Sequence, residues 1–385
     1  MHLPQGKIAL VSDSTTWEVL GQQWFDALST ARKLTHIDLK KRPVASDMLA
    51  KTIIEQANDC ESMIAIGSGT INDLCKYAAH HLAIPYMVCA TAPSMNGYVS
   101  PTASMTFGKE KRSVAATAPV ALIADMAIIS KVPRRLIHAG LGDMMCRSTV
   151  QADWLLSHLL LDTPYDASLF NKILPLEAEM LTQSDKLREK DPAMLRMLME
   201  MLIYSGEAMA KAGSSAPASQ GEHMIVHMME MLYGEQLHDQ YHGEQVAVAT
   251  ITMSQLQDKL LLKQPIIKSN HKSADRFGQI FGKKLGAKLY QTYQEKLLSE
   301  DQIKKMNERI AKDWPGICEA IRSVTVPHHR LDMALRRAHC PIAPKDLRWN
   351  KDRYEHAVTH AYLSRERFTF LDIAAMDQGM RYWFS

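Results

Sequence analysis

The first third of the chain alternates short apolar runs with stretches of helical periodicity. Lys7–Asp13 reads as a strand, and apolar positions from about Thr15 to Leu28 recur at helical spacing. Leu34–Leu39 reads as a second strand, after which Ser46-Asp47 predicts the cap of a helix running to about Ala57. Ser62–Ile66 is an apolar run fit for a buried strand, followed by Gly67-Ser68-Gly69-Thr70 and a helix to about Leu82. Pro85–Ala90 is another strand. This βαβαβαβ rhythm predicts a parallel sheet covered by helices. Thr102–Phe107, followed by Gly108-Lys109-Glu110-Lys111, predicts a hairpin, and Val120–Ile129 one further strand. Beyond Pro133 the periodicity is helical throughout, most clearly over 147–161, 174–187, 193–211, 222–233, 244–263, 301–312 and 353–364. The expected fold is an α/β domain over 1–131 and an all-helical domain over 132–385.

Composition narrows the class. A length of 385 residues suits two domains or one large one. An apolar fraction of 46% and a charged fraction of 23% are ordinary for a globular protein with a core. A net charge of +3 is too small to point to nucleic acid or an anionic membrane as partner. Neither a cleavable leader nor an apolar stretch of roughly 18 residues is present, so no membrane association is expected. The six cysteines form no C-x-x-C pair, which predicts reduced thiols in a cytoplasmic protein. Methionines crowd the segment from Met194 to Met231, where they predict adaptable helical core. The long amphipathic helices leave room for a homo-oligomer face.

Candidate chemistry sits at strand ends. Gly67-Ser68-Gly69 follows a strand and opens a helix, where glycines let backbone approach a pyrophosphate and free N–H groups bind its charge. The sixth position of the dinucleotide fingerprint is Asn72, so a tight β–α turn explains the motif as well. Asp13 has two readings: acceptor for the ribose hydroxyls of an adenosine, which disfavours a 2′-phosphate, or cap of the next helix. Thr91–Ser100 (TAPSMNGYVS) is small, polar and hydroxyl-rich directly after a buried strand, where open parallel sheets bind ligands.

A second set of residues suits a metal. His223 and His227 stand four apart, on one helical face, as a ligand pair or as one core and one surface histidine. His238 and His242 follow, and Asp143 closes Gly140-Leu141-Gly142-Asp143 as a ligand or a helix cap. Two imidazoles and a carboxylate suit zinc, nickel or iron and leave positions for a substrate oxygen.

In order and spacing, Gly67–Lys76, Thr91–Ser100, Gly140–Asp143, Pro217–His227, His242–Val246 and Arg367–Asp372 resemble one superfamily across nearly the whole chain. It is that of the iron-containing alcohol dehydrogenases and dehydroquinate-synthase-like enzymes, and the nearest branch is the sn-glycerol-1-phosphate dehydrogenases. The resemblance implies a Rossmann-like first domain, a helical second domain and an active site in the cleft between them. It implies that Asp13 meets the adenosine ribose of NAD(H) or NADP(H). Gly67, Gly69, Thr70, Ile71, Asn72 and Asp73 would then line the pyrophosphate and nearby ribose, and Thr91, Ser94 and Ser100 the nicotinamide half. One divalent metal would be held by Asp143, His223 and His242, with His227 turned to the substrate instead of the ligand set. Two departures stand out. Asn96 replaces an Asp that in many relatives contacts substrate hydroxyls, keeping hydrogen bonding but losing charge. Gln220 replaces the Gly of the family's Ser-Gly-x-Glu-His run, and His238 is a rival ligand in the variable stretch before His242.

The activity so implied is reversible reduction of dihydroxyacetone phosphate to sn-glycerol 1-phosphate. The metal would act as Lewis acid, Asp143 and His227 as catalytic residues, and Asn96, Asp143 and His227 as substrate contacts. Three alternatives are weighed. The first is a dehydrogenase of glycerol or another polyol. The second is a lyase of the dehydroquinate synthase type, whose lysine-rich motifs the chain lacks. The third is a catalytically lapsed binding protein, which an intact metal set disfavours. Lys211 and Arg147 are candidate phosphate contacts with no motif behind them.

Overall fold

The computed structural model describes residues 3–108, 110–234, 237 and 239–377. Packing divides them into two compact units: one runs to Met144 and takes in Leu169–Ser215, and the other comprises Met145–Ser168 and the chain from Ala216 onward.

The first unit contains β1 (Ile8–Ser12), β2 (Leu34–Asp38), β3 (Ser62–Gly67), β4 (Tyr86–Ala90), β5 (Thr102–Phe107), β6 (Glu110–Ala115) and β7 (Ala121–Ile123). Five of these form one sheet in the order β2-β1-β3-β4-β7, with every neighbouring pair parallel. β1, β3 and β4 are buried along their whole length. They read as continuous apolar runs because both faces of a parallel sheet are covered. β5 and β6 pair as a separate antiparallel hairpin. Gly108 enters its turn at φ +62°, a conformation that favours glycine, while Lys109 lies outside the described residues. The chain runs outward from β1 to β2, then crosses back over β1 to β3. That reversal makes the carboxyl ends of β1 and β3 the switch point where such sheets bind ligands.

Two expected elements differ. The helix placed over Thr15–Leu28 begins at Ser14, widens into a π turn over Trp17–Gly21 and resumes as Gln22–Ser29. The strand placed over Val120–Ile129 is only β7. Asp125 then accepts a hydrogen bond from the Ala127 N–H at 2.8 Å and starts a short helix, Met126–Ile129. Elsewhere Ser46 caps the helix Asp47–Gln56 through the Leu49 N–H at 3.2 Å. The helices Ile173–Gln183 and Pro192–Ala212 belong to the sheet unit, and Met194, Met199, Met201 and Met209 fill its interior.

The second unit is built on helices Arg147–Leu161, Gly221–Tyr233, His242–Leu260 and Glu300–Val324, around Val150, Met224, Met228, Val248, Met253 and Leu256. The last of these helices kinks at Asp313 (φ −155°, ψ 54°), two residues before Pro315, which cannot continue the hydrogen-bond ladder. All six cysteines are buried and free. Among the described residues no helix is long and apolar enough to cross a membrane.

Candidate functional site

In the first unit, the carboxyl ends of β1 and β3 bring Asp13 and Gly67-Ser68-Gly69 to one edge of the sheet. Asp13 adopts the capping geometry: its Oδ1 accepts from the Thr16 N–H at 2.7 Å, and Thr16 Oγ1 accepts from the Asp13 N–H at 3.1 Å. Its side chain stays partly exposed at the sheet edge. The helix Gly69–Leu82 starts without a side-chain cap from Ser68, which leaves its first-turn N–H groups unmasked by that hydroxyl. Gly67 admits the Ile71 side chain, whose Cδ1 lies 2.3 Å from where a Cβ would stand. Ile71 is therefore packed on the strand end. Asn72 is fully buried, donating to the Tyr98 carbonyl at 3.1 Å and accepting from the Tyr86 hydroxyl at 3.3 Å. Asp73 is 9% exposed, and Thr70 lies half-buried beside Gly69.

The segment Thr91–Ser100 continues this edge. The Thr91 N–H donates to the Gly67 carbonyl at 3.1 Å, and Ser94 Oγ lies 3.4 Å from the Tyr98 hydroxyl. Ser100 is buried, with its hydroxyl 3.0 Å from Lys76 Nζ. Asn96 meets Asp143: its backbone N–H donates to Asp143 Oδ2 at 2.7 Å, and its Nδ2 to the Asp143 carbonyl at 3.4 Å. Asp143 does not cap a helix as one reading had it, for it lies inside the helix Arg134–Met145. Gly140 serves close approach instead of a turn, since a Cβ there would meet the Pro93 carbonyl oxygen.

In the second unit, His223 lies on Gly221–Tyr233 and His242 opens His242–Leu260. Their ring centroids are 5.3 Å apart, while His227 stands 6.2 Å from His242. His227 Nδ1 meets Glu230 Oε2 at 3.3 Å. Glu222, to which sequence spacing assigns no role, is fully buried, and its Oε1 lies 2.8 Å from His223 Nδ1. The same oxygen accepts the Gln220 N–H at 2.8 Å, and Oε2 accepts from the Thr149 hydroxyl at 3.0 Å. Burial alone would raise the Glu222 pKa, but the hydrogen bond and charge of His223, with the Gln220 amide, hold it below the usual carboxylate range. Asp153 goes the other way: burial, then the neighbouring Glu222 charge, pushes it well above that range. Burial and neighbouring charge thus shift two buried carboxylates of one cluster in opposite directions. Arg147 is buried and spans Gln151 Oε1 at 2.6 Å and the Val324 carbonyl at 2.8 Å, a structural use that takes it away from an open anion site. His238 lies outside the described residues.

Comparison with known proteins bears on this arrangement. Residues 1–133 match the family model of the iron-containing alcohol dehydrogenases. A glycerol-1-phosphate dehydrogenase [NAD(P)+] of Halalkalibacterium halodurans is 30% identical over 70% of this chain and 71% of its own length. Its counterpart from Bacillus licheniformis is 28% identical over 95% and 82% respectively. Across four such relatives the aligned span covers 62% to 87% of the relative's length. In fold, the chain matches a glycerol dehydrogenase crystal structure from Schizosaccharomyces pombe with a TM-score of 0.55 at 16% identity, over 96% of this chain and 88% of that one. The chain belongs to the glycerol-1-phosphate dehydrogenase branch of the iron-containing alcohol dehydrogenases.

Proposed function

We propose that the protein is an NAD(P)-dependent oxidoreductase of the CH–OH class that reversibly reduces dihydroxyacetone phosphate to sn-glycerol 1-phosphate. Asp143, His223 and His242 hold one divalent ion, zinc, nickel or iron. The observation that carries this reading is the meeting of His223 and His242, from different helices, at 5.3 Å between ring centroids. Glu222 engages Nδ1 of His223, which makes Nε2 the ligand atom and fits the carboxylate–histidine pattern of metal sites. Asp143 stands three residues before Cys146, whose Sγ lies within 4.8 Å of donor atoms on Glu222 and His223. Two neutral imidazoles and a carboxylate are a donor set that leaves open positions. Bound there, the ion supplies a Lewis acid for the reacting oxygen.

The chain's own residues do the rest. The sheet edge at Asp13, Gly67, Gly69, Thr70, Ile71, Asn72 and Asp73 binds the dinucleotide, with the uncapped Gly69–Leu82 helix toward its phosphates. Thr91, Ser94 and Ser100 place the nicotinamide half. Asn96 and His227 orient the substrate, and His227, braced by Glu230, exchanges the proton. Residues 1–131 act as the nucleotide-binding part and 132–385 as the part that binds metal and substrate. The free, buried cysteines suit a cytoplasmic enzyme, and we take it to work as a homo-oligomer. Replacing His223 with Ala removes bound metal and turnover and leaves NADH binding intact, as elemental analysis and NADH fluorescence titration will read. A variant that keeps both its metal and its activity overturns the ligand assignment.

A further inference from the structure

Lys76 lies on the buried side of the Gly69–Leu82 helix with no exposed side-chain surface. An ammonium in such a place is costly unless all its protons are bonded, and burial pushes its pKa down to about 8. Its three N–H groups have three acceptors on a single stretch of chain. These are the Gly97 carbonyl, the Ser100 hydroxyl at 3.0 Å and the Thr102 carbonyl at 3.0 Å. A carboxylate oxygen of Asp73 stands farther away, at 3.9 Å. The ammonium is therefore held at hydrogen-bond distance by three loop oxygens, with Asp73 as a longer ion-pair partner.

The acceptors also bind one another. Ser100 lies within hydrogen-bond distance of the Gly97 carbonyl through its hydroxyl at 3.1 Å and through its N–H at 3.3 Å. Its hydroxyl is 3.0 Å from the Thr102 carbonyl. The result is a closed turn resting on one lysine. On that turn sits Asn96, whose N–H reaches Asp143 Oδ2 at 2.7 Å.

We propose that Lys76 is a positioning residue: its ammonium pins the turn 96–100 so that the Asn96 N–H and the Asp143 carboxylate keep their registry. This rests on the reading of 91–100 as the ligand-facing loop. It explains why a charge is buried where an apolar side chain would pack at less cost. The three oxygens turn inward, and only a donor with three protons on a long unbranched stem satisfies them together.

The substitution Lys76→Met tests it in the full-length, metal-loaded protein. Methionine keeps the unbranched stem, Gly97 keeps the Ser100 N–H and Thr102 keeps the Ser100 hydroxyl, while a buried charge is removed, so the fold is expected to survive. Amide hydrogen exchange across 96–102 should accelerate, and kcat should fall on the order of tenfold to a hundredfold with the melting temperature held. Lys76→Gln, with two donors on a shorter stem, should give intermediate exchange and kcat, and it serves as the test if the methionine variant does not fold. Wild-type exchange across 96–102 in either folded variant overturns the proposal, as does a lowered melting temperature with kcat unchanged. If the wild-type protein neither binds NADH nor turns over, the proposed activity fails. The exchange comparison still judges the clamp.

Discussion

Glu222 is buried in full beside His223 and makes the contact that fixes which ring nitrogen points away from it. Such carboxylates orient a ligand and raise its basicity. Glu222→Gln should therefore weaken metal binding by roughly 10–100-fold, read by competition with a chromophoric chelator. An unchanged affinity would leave Glu222 as a helix-start residue alone. Periodicity hides this contact, because neighbours at i and i+1 do not share a helical face. It forms because Glu222 sits in the first turn and curls back to the Gln220 N–H, which carries its oxygen past Nδ1. Spacing on one helix likewise sees His223 with His227 and is blind to His242, which a second helix brings to 5.3 Å. Asp13 shows the reverse: its local sequence already permits the cap that is observed.

At the level of elements, the helix Arg134–Met145 is the one that carries Asp143, and its closeness to the loop after β4 depends on Gly140. Gly140→Ala places a Cβ against the Pro93 carbonyl oxygen, a backbone atom with little freedom to move. The expected cost is roughly 1–3 kcal/mol, seen as a lower midpoint in urea unfolding. A variant as stable as wild type would mean that this approach is not a constraint. Two glycines before an Asp look locally like a turn and a cap, since the reason for Gly140 is a partner 47 residues earlier in the chain, at Pro93. The apolar run 120–129 divides for a local reason: Asp125, its one polar residue, caps the helix Met126–Ile129 after the strand ends. The helix Arg147–Leu161 is legible to its ends although it is buried on nearly every face, while the kink at Asp313 marks where the helical pattern of 301–312 stops ahead of Pro315.

For the molecule as a whole, alternating strands and helices announce the parallel sheet, and the order β2-β1-β3-β4-β7 places its switch point at Asp13 and Gly67. Strands give way to helices after Ile123, but packing assigns Leu169–Ser215 to the sheet unit. That assignment follows from contacts such as Gly206 against Val99, which no local pattern encodes. The whole-protein claim is metal-dependent reduction of a phosphorylated triose. Its most direct test follows NADH or NADPH consumption by the metal-reconstituted protein with dihydroxyacetone phosphate and with dihydroxyacetone. Steady consumption that prefers the phosphate ester and disappears with a chelator is the predicted result. Consumption with the free triose alone, or no net loss of reduced cofactor with either, would contradict the claim.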